Sequence, residues 1–154
     1  MRLALFQPDI PQNLGAAIRL TACWGVPLEV IEPCAFTLDD KSLKRAALDY
    51  GPHAHMIRRS GWDEFITAPE RAEGRLVLFT TKAAIRLHAF EFSAGDTLLY
   101  GRESAGAPDE VHAAAQARLF IPIRAQTRSM NLVTACAVGL AEALRQTGGF
   151  PGSG

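Results

Sequence analysis

Six short apolar runs recur along the chain at spacings that leave room for helices between them, and this rhythm limits the fold more than any other feature. They are RLALF (Arg2–Phe6), LEVIE (Leu28–Glu32), AHMIR (Ala54–Arg58), RLVLFT (Arg75–Thr80), DTLLYG (Asp96–Gly101) and RLFIPI (Arg118–Ile123). Several are continuously apolar rather than alternating, which is how strands read when both faces of their sheet are covered. The pattern predicts an α/β fold, a mostly parallel six-stranded sheet with helices on both faces.

The intervening segments have helical character. Asn13–Trp24 sets Leu14, Ala17 and Ile18 on one side and meets a stop at Gly25. Asp39–Tyr50 begins on an acidic cap and turns Lys41, Lys44 and Arg45 away from Leu43, Ala46, Ala47 and Tyr50. Trp62–Ala72 contains Pro69, which should break or kink it, whereas Pro108 can open a helix where a missing N–H costs nothing. The last helix, Asn131 to about Gln146, is apolar nearly all round until Glu142, so it should be covered by the sheet and by a second subunit. No repeat or long linker divides the 154 residues, which are expected to form one domain with a flexible tail from Gly148.

Composition narrows the function classes. Hydrophobic residues make up 48% and charged residues 21%, as in globular proteins. Lys+Arg and Asp+Glu balance at 16 each, so any nucleic-acid partner must be held by a local basic patch and not by a uniformly cationic surface. Cys23, Cys34 and Cys136 form no CxxC pair and suggest neither a disulfide framework nor a zinc site; a reducing cytoplasm fits them. MRLALFQPDIP is too briefly apolar for a signal peptide, and no run approaches the roughly 20 residues of a membrane span. His53 and His55 could share a face, but no third metal ligand follows at a sensible spacing, and no metal is expected.

Open parallel sheets bind ligands at the loops that follow their strands. Three such loops stand out: TTKAAIR (Thr80–Arg86), GRESAGAP (Gly101–Pro108) and RAQTRSMN (Arg124–Asn131). GxGxxG and GxxxxGK[ST] are both absent, which argues against a dinucleotide dehydrogenase and a phosphate-loop hydrolase. Ser129 lacks a GxSxG setting, so it does not read as a hydrolase nucleophile. Taken alone, GRESAGAP could be an ordinary turn, Arg19 in NLGAAIR a surface salt bridge, and Lys41, Lys44 and Arg45 a solvated helix face.

The ordered set says more than its parts. PDIPQNLGAAIR, then LLYGRESAGAP, then IPIRAQTRSMNLVTA resemble the three signature motifs of the SPOUT superfamily of RNA methyltransferases. DDKSLKRAALDYG and the TTK after the fourth strand sharpen the resemblance to the bacterial tRNA (cytidine/uridine-2′-O-)-methyltransferases of the wobble position of leucine tRNAs. The resemblance implies a C-terminal deep trefoil knot, an S-adenosylmethionine cofactor bent in the knotted cleft, a homodimer completing each cleft across its interface, and a tRNA anticodon stem-loop as partner. An inert RNA- or nucleotide-binding module of the same fold, or a 2′-O-methyltransferase of another tRNA or ribosomal RNA site, remains the alternative.

Carried over by position, the resemblance implies that Phe79, Gly101, Glu103, Ile121, Ser129, Met130 and Leu132 bind the cofactor. It implies catalytic work for Arg19, Ser129, Asn131 and Asn13, and RNA contacts for Lys41, Lys44, Arg45, Lys82 and Arg128. A guanidinium is a poor proton acceptor at neutral pH, so Arg19 is expected to clamp a phosphate and stabilise negative charge on the 2′-oxygen, not to take its proton. Arg102 and Ala141 depart from the family pattern, where many relatives have Pro and several have Tyr.

Overall fold

The computed structural model describes residues 1–39, 41, 45 and 48–152. Seven strands form one sheet: β1 (Arg2–Phe6), β2 (Leu28–Ile31), β3 (Met56–Arg59), β4 (Leu76–Phe79), β5 (Ile85–Arg86), β6 (Thr97–Tyr100) and β7 (Ala117–Phe120). Their order is β3-β2-β1-β6-β4-β7-β5, and every ladder between them is parallel. The sequence predicted six strands; the seventh, β5, pairs Ile85 with Leu119 and Arg86 with Phe120. Two residues are too few to show any periodicity, so that strand exists only through its partner. The last predicted strand also stops early, at Phe120, because the next residue but one is Pro122, which has no ladder donor.

Among the described residues four α-helices have defined bounds. They are α1 (Pro11–Trp24), α2 (Trp62–Thr67), α3 (Asp109–Ala114) and α4 (Leu132–Thr147). Pro11 occupies the first turn of α1, so that helix starts two residues before the predicted Asn13. Pro69 ends the predicted 62–72 helix at Thr67, and a separate 3-10 turn runs from Pro69 to Glu73. Half of the predicted 39–50 helix lies outside the described residues, Lys44 included; Lys41 and Arg45 are helical and exposed, and the predicted end at Leu48–Tyr50 belongs to a 3-10 helix, Leu48–His53.

Period-two geometry explains the layers. Leu3 and Leu5 of β1 point into a core shared with Leu14, Ala17 and Ile18 of α1 and Cys136, Leu140, Ala143 and Leu144 of α4. Ala4 and Phe6 of the same strand point the other way, to Phe65 of α2 and Val111 of α3. On that second side Glu29 of β2 is fully buried between two arginines, with Arg59 donating through Nε at 2.8 Å and Arg71 through Nη2. Burial without those partners would cost several kcal/mol, on the order of the effective penalty for a desolvated ion.

Helix α4 is not buried all round as its composition suggested. Cys136, Gly139, Leu140, Ala143 and Leu144 face the core, while Val138 is 37% exposed. Phe150 packs edge-on against Trp24 at 5.6 Å, which ties the segment after α4 back to the end of α1. Among the described residues, no helix is long and apolar enough to cross a membrane.

Candidate active site

Strands after β1 spread to one side of it, through β2 and β3, whereas the later strands occupy the other. That reversal opens a crevice at the carboxyl ends of β1, β6, β4 and β7, where open α/β sheets bind ligands. A cleft of about 620 Å³ lies there, inside the roughly 300–1,000 Å³ range of small-molecule sites.

Aromatic residues make its floor. Phe79 ends β4 and Tyr100 ends the neighbouring β6, and their rings stack at 4.6 Å with 13° between planes. Tyr100 Oη donates to the carbonyl of Ala135 at 3.2 Å, which binds α4 to the floor. Burial raises the Tyr100 phenol well above its ordinary range and does the same to the Cys136 thiol on the core side of α4. Both stay protonated at neutral pH, so Tyr100 serves as a donor and neither group as a base. The helix can come this close because position 139 is glycine: a Cβ there would lie 2.2 Å from Tyr100 Oη and 2.8 Å from Phe79 Cζ.

The loop after β6 forms one wall. Arg102 and Gly106 exchange backbone hydrogen bonds of 3.1 and 2.9 Å, closing a tight turn over Gly101. A Cβ on Gly101 would meet the Ala107 nitrogen at 2.5 Å, so only glycine permits the turn. The opposite wall is the loop after β7, with Ile121, Ile123, Arg124, Thr127 and Arg128 through Leu132 lining the cleft. Thr80 and Thr81 after β4 and Ile10 and Asn13 after β1 complete it.

A chain of amides and one carboxylate crosses the mouth. Asn131 caps α4, its Oδ1 accepting from Val133 N at 2.9 Å and Thr134 N at 3.2 Å. Its Nδ2 donates to Asn13 Oδ1 at 3.1 Å; Asn13 Nδ2 in turn donates to Glu103 Oε1 at 3.0 Å, and the Asp9 amide reaches Glu103 Oε2 at 2.7 Å. Asn13 is buried, so each end of its amide is used. Three residues far apart in sequence thus hold three loops in register.

The candidate residues from the sequence therefore divide. Phe79, Gly101, Glu103, Ile121, Ser129, Met130, Leu132, Asn13, Asn131 and Arg128 all line the one cleft. Arg19 does not; it is exposed on α1, away from the side of the helix that carries Asn13. Lys82 is exposed next to cleft-lining Thr81. Sequence reasoning missed Tyr100, Arg124, Ile10, Thr80 and Thr81 as lining residues, and the Asp9–Arg102 ion pair at 2.7 Å. Position in a post-strand loop was the available signal for Arg124, Thr80 and Thr81; no sequence signal paired Asp9 with Arg102. Among the described residues, no group of three or more His, Cys, Asp or Glu could hold a metal ion.

Comparison with known proteins gives consistent matches. Residues 1–141 match the SpoU rRNA Methylase family. A tRNA (cytidine(34)-2′-O)-methyltransferase of Beijerinckia indica is 47% identical, across 95% of this chain and 91% of the relative. Another of the same name, from Ancylobacter novellus, is 46% identical across 100% and 98% of the two chains. Among solved structures, one concerning the 2-OH methylation of C/U34 on tRNA aligns with a TM-score of 0.87 and 40% identity, over 94% of each chain. The SpoU methyltransferase AviRb of Streptomyces viridochromogenes, solved in complex with AdoMet, aligns at 0.83 with 26% identity over 95% of this chain and 60% of that one.

Proposed function

This chain belongs to the SpoU rRNA methylase family, and from that premise we propose that it transfers a methyl group from S-adenosylmethionine to the ribose 2′-oxygen of the wobble nucleotide, position 34, of leucine tRNAs. The observation that carries the reading is the convergence of the loops after β4, β6 and β7 on one cleft, floored by stacked aromatics and walled by glycine backbone. Such a cleft fits an adenosyl group: Phe79, Ile121 and Leu132 offer apolar contact, and the Gly101 turn brings backbone close. The names of the two bacterial relatives support position 34 of tRNA as the site.

S-adenosylmethionine supplies an activated methyl group on a sulfonium. The protein's part is then alignment and exclusion of water, since in-line displacement needs the reacting atoms at about 3 Å. In this reading Ser129 and Asn131 orient ribose and cofactor, and Asn13 braces the loop from which α1 starts. Arg128 and Lys82 hold anticodon-stem phosphates at the rim, and in this reading Lys41, Lys44 and Arg45 are further RNA contacts. The released proton passes to a phosphate oxygen or to water.

Arg19 requires a second copy. Its guanidinium stands outside its own cleft, so we place it at the cleft of a partner in a homodimer, where it clamps a phosphate and stabilises negative charge on the 2′-oxygen. The half-open apolar side of α4, with Val138 exposed, supports that assembly. The knotted threading of the C-terminal segment and a cytoplasmic location belong to the same reading, supported by family membership and a tRNA substrate. Incubation with labelled cofactor and unmodified leucine tRNA should place label in the 2′-O-methylated nucleotide 34. Label at another nucleotide reassigns the site, and no label with any tRNA or ribosomal RNA refutes the enzyme.

A further inference from the structure

Three consecutive residues of the loop after β6 are anchored on a single residue of the loop after β1. Asp9 Oδ1 accepts from Arg102 Nη2 at 2.7 Å and from Arg102 Nε at 3.2 Å. Its Oδ2 accepts from the Ser104 amide at 3.0 Å and from the Ser104 hydroxyl. Between them Glu103 takes the Asp9 amide on Oε2 at 2.7 Å. Asp9 therefore holds Glu103 directly through its backbone and holds both of its neighbours through its side chain.

The surrounding chain is arranged for the same contact. Gln7, just after β1, adopts a φ of 45°, a left-handed conformation uncommon for a residue with a side chain. Its Oε1 faces Arg102 Nη1 at 3.5 Å, at the limit of a hydrogen bond. None of these groups belongs to either apolar core. What the pair fixes is the relative position of two loops more than 90 residues apart, and with it the Glu103–Asn13–Asn131 chain across the cleft mouth.

We propose that Asp9 and Arg102 are a positioning pair for methyl transfer, acting through Glu103 and Asn13 on the residues that orient ribose and cofactor. The proposal rests on the methyltransferase reading. Arg102 is not an RNA contact in this scheme: its Nε and one terminal nitrogen are committed to Asp9, and its remaining nitrogen is turned to Gln7. An ångström of drift between the loops is enough to lower turnover about a hundredfold without removing any group that touches substrate.

The test compares Asp9→Ala, Arg102→Ala, their double variant and Arg102→Lys with the wild-type protein. In the single alanine variants kcat should fall about ten- to a hundredfold, KM for cofactor and for tRNA should change by less than about threefold, and the double variant should lose no more than either single. Arg102→Lys should recover part of kcat, because one donor can still reach Asp9. Amide hydrogen exchange, which needs no turnover, should show faster exchange at Asp9 and Ser104 in Arg102→Ala. Losses that multiply in the double variant, or a raised KM for tRNA in Arg102→Ala alone, overturn the proposal; the latter makes Arg102 an RNA contact. A lowered melting temperature with kcat unchanged overturns it as well, leaving a merely structural pair. If the wild type itself methylates nothing, the functional reading fails, while unchanged exchange at Asp9 and Ser104 would separately refute the clasp.

Discussion

Asn131 performs two tasks that substitution can separate. Its Oδ1 caps α4 on Val133 and Thr134, and its Nδ2 donates to Asn13. Serine is about as good a cap as asparagine, but it offers no amide in reach of Asn13. Asn131→Ser therefore forfeits one hydrogen bond between neutral groups, about 1 kcal/mol, whereas Asn131→Ala also loses the cap, for roughly 2 kcal/mol together. For a chain of this length that is a fall in Tm of about 2–4 °C for serine and about twice that for alanine. Stability should grade between the two variants, read by urea unfolding, and methyl transfer should not, because both lack the amide that joins α4 to the first loop. If serine keeps near wild-type turnover while alanine loses it, activity follows the cap, and the amide chain across the cleft has no catalytic meaning.

Gly139→Ala should destabilise the protein by about 1–3 kcal/mol, although alanine ordinarily favours a helix, because the new Cβ falls 2.2 Å from Tyr100 Oη; a raised urea midpoint would disprove the close approach. Hydrogen bonds from Ser104 and then Arg102 lower the Asp9 carboxyl from 3.8 to about 2. A depressed folded-state value stabilises above the unfolded pKa and is lost as pH falls through the folded one, so wild type should lose this contribution between about pH 4 and pH 2. Asp9→Asn should show a flatter decline of its urea midpoint over that range, and an unchanged slope would count against the pair. Arg124→Ala should weaken tRNA binding and shrink the slope of log K against log salt by about 0.7–0.9, as expected for one lost phosphate contact; an unaltered slope removes Arg124 from the RNA surface.

Much of the fold was legible because strands buried on both faces must be written as apolar runs. RLALF shows it: Leu3 and Leu5 serve one core, Ala4 and Phe6 the other, and no polar residue interrupts. Pro69 marked a boundary that the structure keeps, whereas Pro122 was read inside the last strand, which ends before it at Phe120. What stayed hidden depends on partners. β5 is two residues whose pairing comes wholly from β7, and Tyr100 read as an ordinary strand end until the stack with Phe79 and the bond to Ala135 made it the cleft floor. Asn131 illustrates a mixed case. A cap was readable from the letters before an apolar helix, but its bond to Asn13, 118 positions earlier, is a property of the folded loops alone.

Charge distribution explains how a chain of zero formal charge can offer a basic site. Glu29, fully buried, holds Arg59 and Arg71, and Asp96, equally buried, holds Arg75. Asp9 holds Arg102, Glu32 holds Arg58, and Glu142 holds Arg145. These carboxylates neutralise arginines that brace the sheet, the loops and α4. Among the described residues, Arg124 and Arg128 at the cleft and Lys82 beside it enter no ion pair of this kind, and all three are exposed. Balanced totals therefore conceal a division of labour in which many acidic groups pair with structural arginines, so that Arg124, Arg128 and Lys82 outnumber Glu103, the carboxylate of the cleft that faces no cation among the described residues. Net charge is a weak guide to a nucleic-acid partner for that reason: the relevant quantity is the charge left over near the cleft after internal pairing, and it is positive here.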